Sequence, residues 1–89
     1  MKKDKIVLKV VFRKFENSQI IALFPEMTNK RMYRIESYMK IGQHSECDPS
    51  IINITKPATE SEYKELLKEL QFIYDHCEFK IMKRLNIKW

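Results

Sequence analysis

Between Gly42 and Asp48 the chain sets an imidazole, a hydroxyl, a thiol and two carboxylates side by side, in the run Gly42-Gln43-His44-Ser45-Glu46-Cys47-Asp48. A cation near a cysteine lowers the thiol pKa, so Cys47 beside His44 has the composition of a thiolate nucleophile. Such geometry is set in space rather than by adjacency, and no nucleophile signature surrounds Cys47. The simpler reading is a polar loop, Gly42 to Pro49, in which Gln43, His44 and Asp48 bond the loop's own backbone. Gly42 is the chain's single glycine, which makes Gly42, Gln43 and His44 the expected residues of any functional turn. His44 and Cys47 also have metal-ligand spacing, with His76 and Cys77 as a further pair of donors. Neighbouring residues on a helix point in different directions, so His76 and Cys77 ligate one ion poorly. No metal and no cofactor is expected, and no enzyme.

A second constellation consists of cations and rings. If Ile6–Phe15 and Arg31–Ile41 are strands, then Lys9, Arg13, Arg34, Tyr38 and Lys40 share one sheet face with Val11 and Phe15. Cations neutralise phosphates and flat rings stack on unpaired bases, so this face could hold single-stranded nucleic acid. No motif of the known sheet-type RNA binders accompanies it. Pairing with a second copy or another protein is the preferred use of such a surface.

The elements that position these residues follow from periodicity. Ile6, Leu8, Val10 and Phe12 alternate with Val7, Lys9, Val11 and Arg13, as in a strand. Glu16-Asn17 then makes a tight connection to a second strand, Ser18–Phe24, which Pro25 is expected to end by removing a ladder donor. Glu26–Lys30 reads as a polar loop. A third strand, Arg31–Ile41, turns Tyr33, Ile35 and Met39 one way and Arg34, Tyr38 and Lys40 the other. Ile51–Ile54 suggests a short strand.

Thr59 to Cys77 carries apolar residues at Tyr63, Leu66, Leu67, Leu70, Ile73, Tyr74 and Cys77, which is one stripe of a helix. Thr59 and Glu62 form a capping box at its start, where Glu60 and Glu65 suit the helix dipole. Phe72 lies off the stripe, and exposed it would mark an interface. Trp89 either folds over the core or anchors a contact. Phe79 and Ile81 open a last basic strand. The order is β-β-β-(β)-α-β, an α+β two-layer sandwich with an antiparallel sheet of three to five strands. The helix packs on one face against Ile6, Leu8, Val10, Phe12, Tyr33, Ile35 and Met39, and the other face is left to water.

The chain has 89 residues, a net charge of +5 and 33% charged residues, and its mean hydropathy is −0.47. This is one domain, residues 1–89, with residues 1–5 as a basic leader expected to fray. Charge is unevenly placed: ten Lys/Arg against four acids up to Lys40, and five acids against two lysines from Thr59 to Cys77. The two cysteines are too few for a disulfide scaffold. No apolar run suits a signal peptide or membrane span, so a reducing cytoplasm is expected.

The blocks Val10-Val11-Phe12-Arg13, Ile20-Ile21-Ala22-Leu23-Phe24-Pro25-Glu26, Ile41-Gly42-Gln43-His44-Ser45 and Lys56-Pro57-Ala58-Thr59, with Glu62-Tyr63 and Leu66-Leu67, occur in that order. In this the chain resembles a family of small, functionally uncharacterised proteins from gut bacterial genomes, some of them in mobile elements. The resemblance implies a compact cytoplasmic bacterial α+β domain and carries over no functional residue. From the residues themselves, the expected role is a small non-enzymatic interaction or binding module that self-associates as a homodimer. The alternative is a nucleic-acid-binding accessory protein using the basic sheet face. No membrane partner is expected.

Overall fold

A computed structural model describes residues 6–39, 43–85 and 87. The elements run β1 (Ile6–Phe15), β2 (Ile20–Asn29), β3 (Arg34–Met39), β4 (Gln43–Cys47), a 3-10 segment (Pro49–Ile54), β5 (Thr55–Pro57), α1 (Glu60–Ile73) and β6 (Cys77–Ile81). Strands β4-β3-β2-β1-β5 lie side by side in that order, and β6 also pairs with β1. The pairings are antiparallel except β1–β6, which is parallel and brings Ile6 opposite Cys77. The molecule is an α+β sandwich with its one described helix on one face of the sheet.

Strand alternation divides the core into two. On the helix side, Val10 and Phe12 of β1 and Ala22 and Phe24 of β2 pack with Tyr38, Leu66 and Leu70. Phe12 stacks on Tyr63 with ring centroids 4.3 Å apart. On the other side Val11, Ile21, Leu23 and Ile35 are buried beneath Ile51, Met82, Leu85 and Ile87. This second face is not left to water, as expected from the sequence, because the 3-10 segment and the chain after β6 fold back across it. Met82 is fastened there by its N–H, which donates to Val10 O at 2.8 Å.

The third strand sits in the opposite phase from the one its composition suggests. Tyr38 faces the helix, fully buried opposite Ala22, while Ile35 and Met39 turn to the second core. A small residue opposite makes room for the ring, and the Tyr38 hydroxyl is met by the Glu69 carboxylate, so burial leaves no polar atom wanting. Of the other expected helix partners, Val10 and Phe12 are in place, Leu8 is half-buried, and Ile6 and Tyr33 are exposed.

Proline does not end β2. The strand runs through a buried Pro25 to Asn29, and the β2–β3 register shifts between Phe24 and Thr28. A proline is tolerated where a bulge interrupts the ladder and no donor is required. Residues 26–29 therefore belong to the strand rather than to a loop. Ile51–Ile54 is 3-10 helix rather than strand. Pro49 begins it, and the Asp48 carboxylate caps it by accepting from Ser50 N–H at 2.8 Å.

The β1–β2 connection needs a positive φ, and Ser18 supplies it at 75°. Asn17 supports the turn by accepting from Gln19 N–H through Oδ1 at 3.1 Å. In the β2–β3 connection Tyr33 takes the left-handed region at φ 57°, where a bulky side chain costs on the order of 1–3 kcal/mol.

Helix α1 begins as its capping signal foretells. The Glu62 carboxylate accepts from Thr59 N–H at 2.8 Å and also from Lys14 Nζ of β1 at 2.5 Å. The helix ends earlier than the apolar stripe, at Ile73, and Cys77 is buried as the first residue of β6. Lys14, pairing first, and Thr59 N–H hold the Glu62 carboxyl down to about 2. A depressed carboxyl stabilises the fold above its unfolded pKa and loses that contribution as pH falls through the folded one. Melting temperature is therefore expected to fall between about pH 4.5 and pH 2, and less steeply in Glu62→Gln. A parallel pH dependence of the two proteins would remove this role for Glu62.

Candidate functional site

The residues proposed from sequence do not assemble into one patch. Lys9 lies on the second-core side of β1 and pairs with Glu26 at 3.4 Å. Arg13 is taken up by the fold. Its Nε donates to Thr55 Oγ1 at 3.0 Å, and its Nη2 donates to Ile52 O at 2.9 Å and Thr55 O at 2.7 Å. One guanidinium thus clamps the 3-10 segment and β5 onto β1, and partial burial draws its pKa down. Tyr38, buried on the helix side, is not on the face assigned to it. Arg34 is exposed at the start of β3. Lys40 and Gly42 lie outside the described residues, as does Trp89. A continuous basic sheet face is absent among the described residues, because its middle is Val11, itself 1% exposed.

Within the Gly42–Pro49 segment Gln43–Cys47 is a strand rather than a loop, and Asp48 and Pro49 lead into the 3-10 segment. Gln43 and His44 belong to β4 and stand opposite Met39 and Tyr38 in the ladder. Ser45 is fixed to β3, since the buried Ser37 hydroxyl lies 3.0 Å from Ser45 O and 3.2 Å from Ser45 Oγ. Cys47 is half-buried, and burial pushes its thiol pKa up, with a Ser37 hydrogen bond and Arg34 acting in the opposite direction. A thiol so placed is less ionised at neutral pH than a free cysteine, which is the reverse of an activated nucleophile. Among the described residues no group of His, Cys, Asp and Glu side chains gathers to hold a metal ion.

No family model matches the chain, and neither the curated proteins nor the solved structures give a match.

What the geometry presents instead is edge and surface. β4 ends the sheet, and no described strand pairs with its outer side. It carries neither lysine nor proline, the usual devices that keep an edge from pairing with another chain. Its inner side is pinned by the Ser37–Ser45 contacts and its end by the Asp48 cap, so its backbone is held extended. At the opposite edge β6 exposes Lys80, the kind of charge that blunts an edge most, whereas the single charged residue in β4 is the exposed Glu46. Between β5 and β6 a cleft of about 540 Å³ is walled by Phe12, Pro57, Ala58, Tyr63, Ile81 and Met82. Its lining holds no cysteine, histidine or serine. Phe72 is 86% exposed on the outer side of α1. The edge escapes sequence reading because Gln43-His44-Ser45-Glu46-Cys47 has no apolar alternation; an edge strand with few buried side chains gives none. Among the described residues no helix is long and apolar enough to cross a membrane.

Proposed function

We propose that this protein is a non-enzymatic interaction module that self-associates through the free edge of β4. The observation that carries the reading is the end of the sheet, where no described strand pairs with the outer side of β4 and neither lysine nor proline stands. Its backbone donors and acceptors are already aligned, so a second β4, antiparallel about a two-fold axis, extends the ladder without rearranging either partner. Covered faces direct association to the edge, since the second core is closed by the chain after β6 and the first by α1. Small domains have a thin stability margin, and joining two sheets adds to it.

Sedimentation velocity at rising protein concentration should show a species of twice the chain mass. Glu46→Lys places on the edge a lysine, the residue that most often guards an edge strand against pairing. That variant is expected to remain monomeric at concentrations where the parent dimerises, with an unchanged circular dichroism spectrum. A parent that stays monomeric throughout, or a variant that dimerises equally well, disproves the edge pairing.

A further inference from the structure

The β2–β3 hairpin ends in a surface that shares only Arg34 with the basic face expected from the sequence. Lys30, Arg31, Met32 and Tyr33 form the turn, and Arg34 begins β3 opposite Asn29. From Met27 to Ile35 the chain has three cations and no acid. No described carboxylate forms an ion pair with Lys30 or Arg31. Uncompensated cations at a loop tip repel one another, so their clustering favours an anionic partner.

The turn also displays rather than hides its large side chains. Tyr33 is 58% exposed and Met32 59% exposed. Two hydrogen bonds hold the backbone, from Tyr33 N–H to Lys30 O at 3.3 Å and from Met32 N–H to Asn29 Oδ1 at 3.2 Å. Tyr33 occupies a left-handed position, φ 57°, that glycine or asparagine fills at less cost. The Tyr33 ring, more than half exposed, belongs to neither core cluster. Backbone strain of this kind collects where a side chain must be presented.

We propose that this hairpin tip binds single-stranded nucleic acid, with Lys30, Arg31 and Arg34 on backbone phosphates and the Tyr33 ring stacked on an unpaired base. The exposed ring favours unpaired bases over a duplex, whose base faces are covered, and over an acidic peptide, which offers no flat face. The binding needs neither Arg13 nor Tyr38, both committed to the fold, and it is independent of the β4 edge.

Fluorescence anisotropy with a labelled single strand of about 15 nucleotides, at roughly 50 and 200 mM salt, tests this. The expected result is binding that weakens at least about tenfold across that range. Lys30→Ala with Arg31→Ala should lower the log–log salt slope by about 1.4, at roughly 0.7 per lost contact with a single strand. Tyr33→Gly relieves the backbone while removing the ring, so it keeps the turn. It should weaken binding by about five-fold or more, whereas Tyr33→Phe should bind like the parent. No binding by the parent at the lower salt overturns the proposal, as does an unchanged slope in the double variant. Tighter binding of a duplex of equal length, or of phosphatidylserine vesicles in place of the oligonucleotide, overturns it equally.

Discussion

Leu70→Ala should lower stability by about 3 kcal/mol, within the range of 2–5 for a buried leucine truncation, and melting temperature by roughly 12–24 °C. Leu70 is 0% exposed and sits with Leu66 at the centre of the helix-side core, against Val10, Phe12, Ala22 and Phe24. Removing its branch leaves a hollow that rigid strand side chains from β1 and β2 cannot fill. A domain of this size has a total stability of only about 5–10 kcal/mol, so the loss takes a large share of it. Thermal unfolding followed by circular dichroism measures this directly. Phe72→Ala on the same helix provides the contrast, since a side chain 86% exposed should change stability by less than about 0.5 kcal/mol. A melting shift under about 4 °C for Leu70→Ala would mean that α1 is not seated as described.

Arg13→Ala is the second large effect, with an expected loss of about 2 kcal/mol. Two backbone carbonyls and a threonine hydroxyl lose one shared donor, and the 3-10 segment loses its attachment to β1. Part of that site is open to water, which limits the penalty for the abandoned acceptors. Arg13→Lys keeps the charge but not the planar fork, and should recover less than half of the loss. Amide hydrogen exchange should speed up over residues 49–57 in both variants. If Arg13 served an external ligand alone, Arg13→Ala would melt like the parent, and the clamp would be disproved.

Much of the architecture is written in local patterns, and the exceptions have identifiable causes. β1 reads as a strand through its β-branched residues, with Val10-Val11-Phe12 an unbroken apolar run because both faces are buried there, and α1 announces itself through Thr59, Glu62 and the Leu66–Leu70 spacing. Pro25 reads as a stop, because the bulge that tolerates it arises only when β3 is laid alongside. Tyr38 reads as a surface residue among Arg34, Glu36 and Lys40. Its burial depends on Ala22 across the ladder and Glu69 on the helix, partners that a local window does not contain. The second core follows the same rule: Met82, Leu85 and Ile87 continue what looks like a strand, yet they cross the sheet after β6 ends.

Of the candidate site, less was legible. Arg13 reads in the sequence as a surface cation, and its partners, Ile52 and Thr55, lie about forty residues away. The β4 edge contains little hydrophobic signal to read. The hairpin tip did leave a trace, the absence of any acid between Glu26 and Glu36, but a polar loop and a strand start divided it between two elements.

The parallel pairing of β1 with β6, Ile6 opposite Cys77, has a consequence for biosynthesis. β1 waits for β6, the last of the described strands, before its flank is complete. Until then β1 offers an unsealed margin rich in Ile, Val and Leu to any neighbouring nascent chain. Maturation is thus slow to commit, as expected when contacts join residues far apart in sequence. Emergence of β6, rather than of β1 to β4, is expected to set the moment at which this flank is sealed.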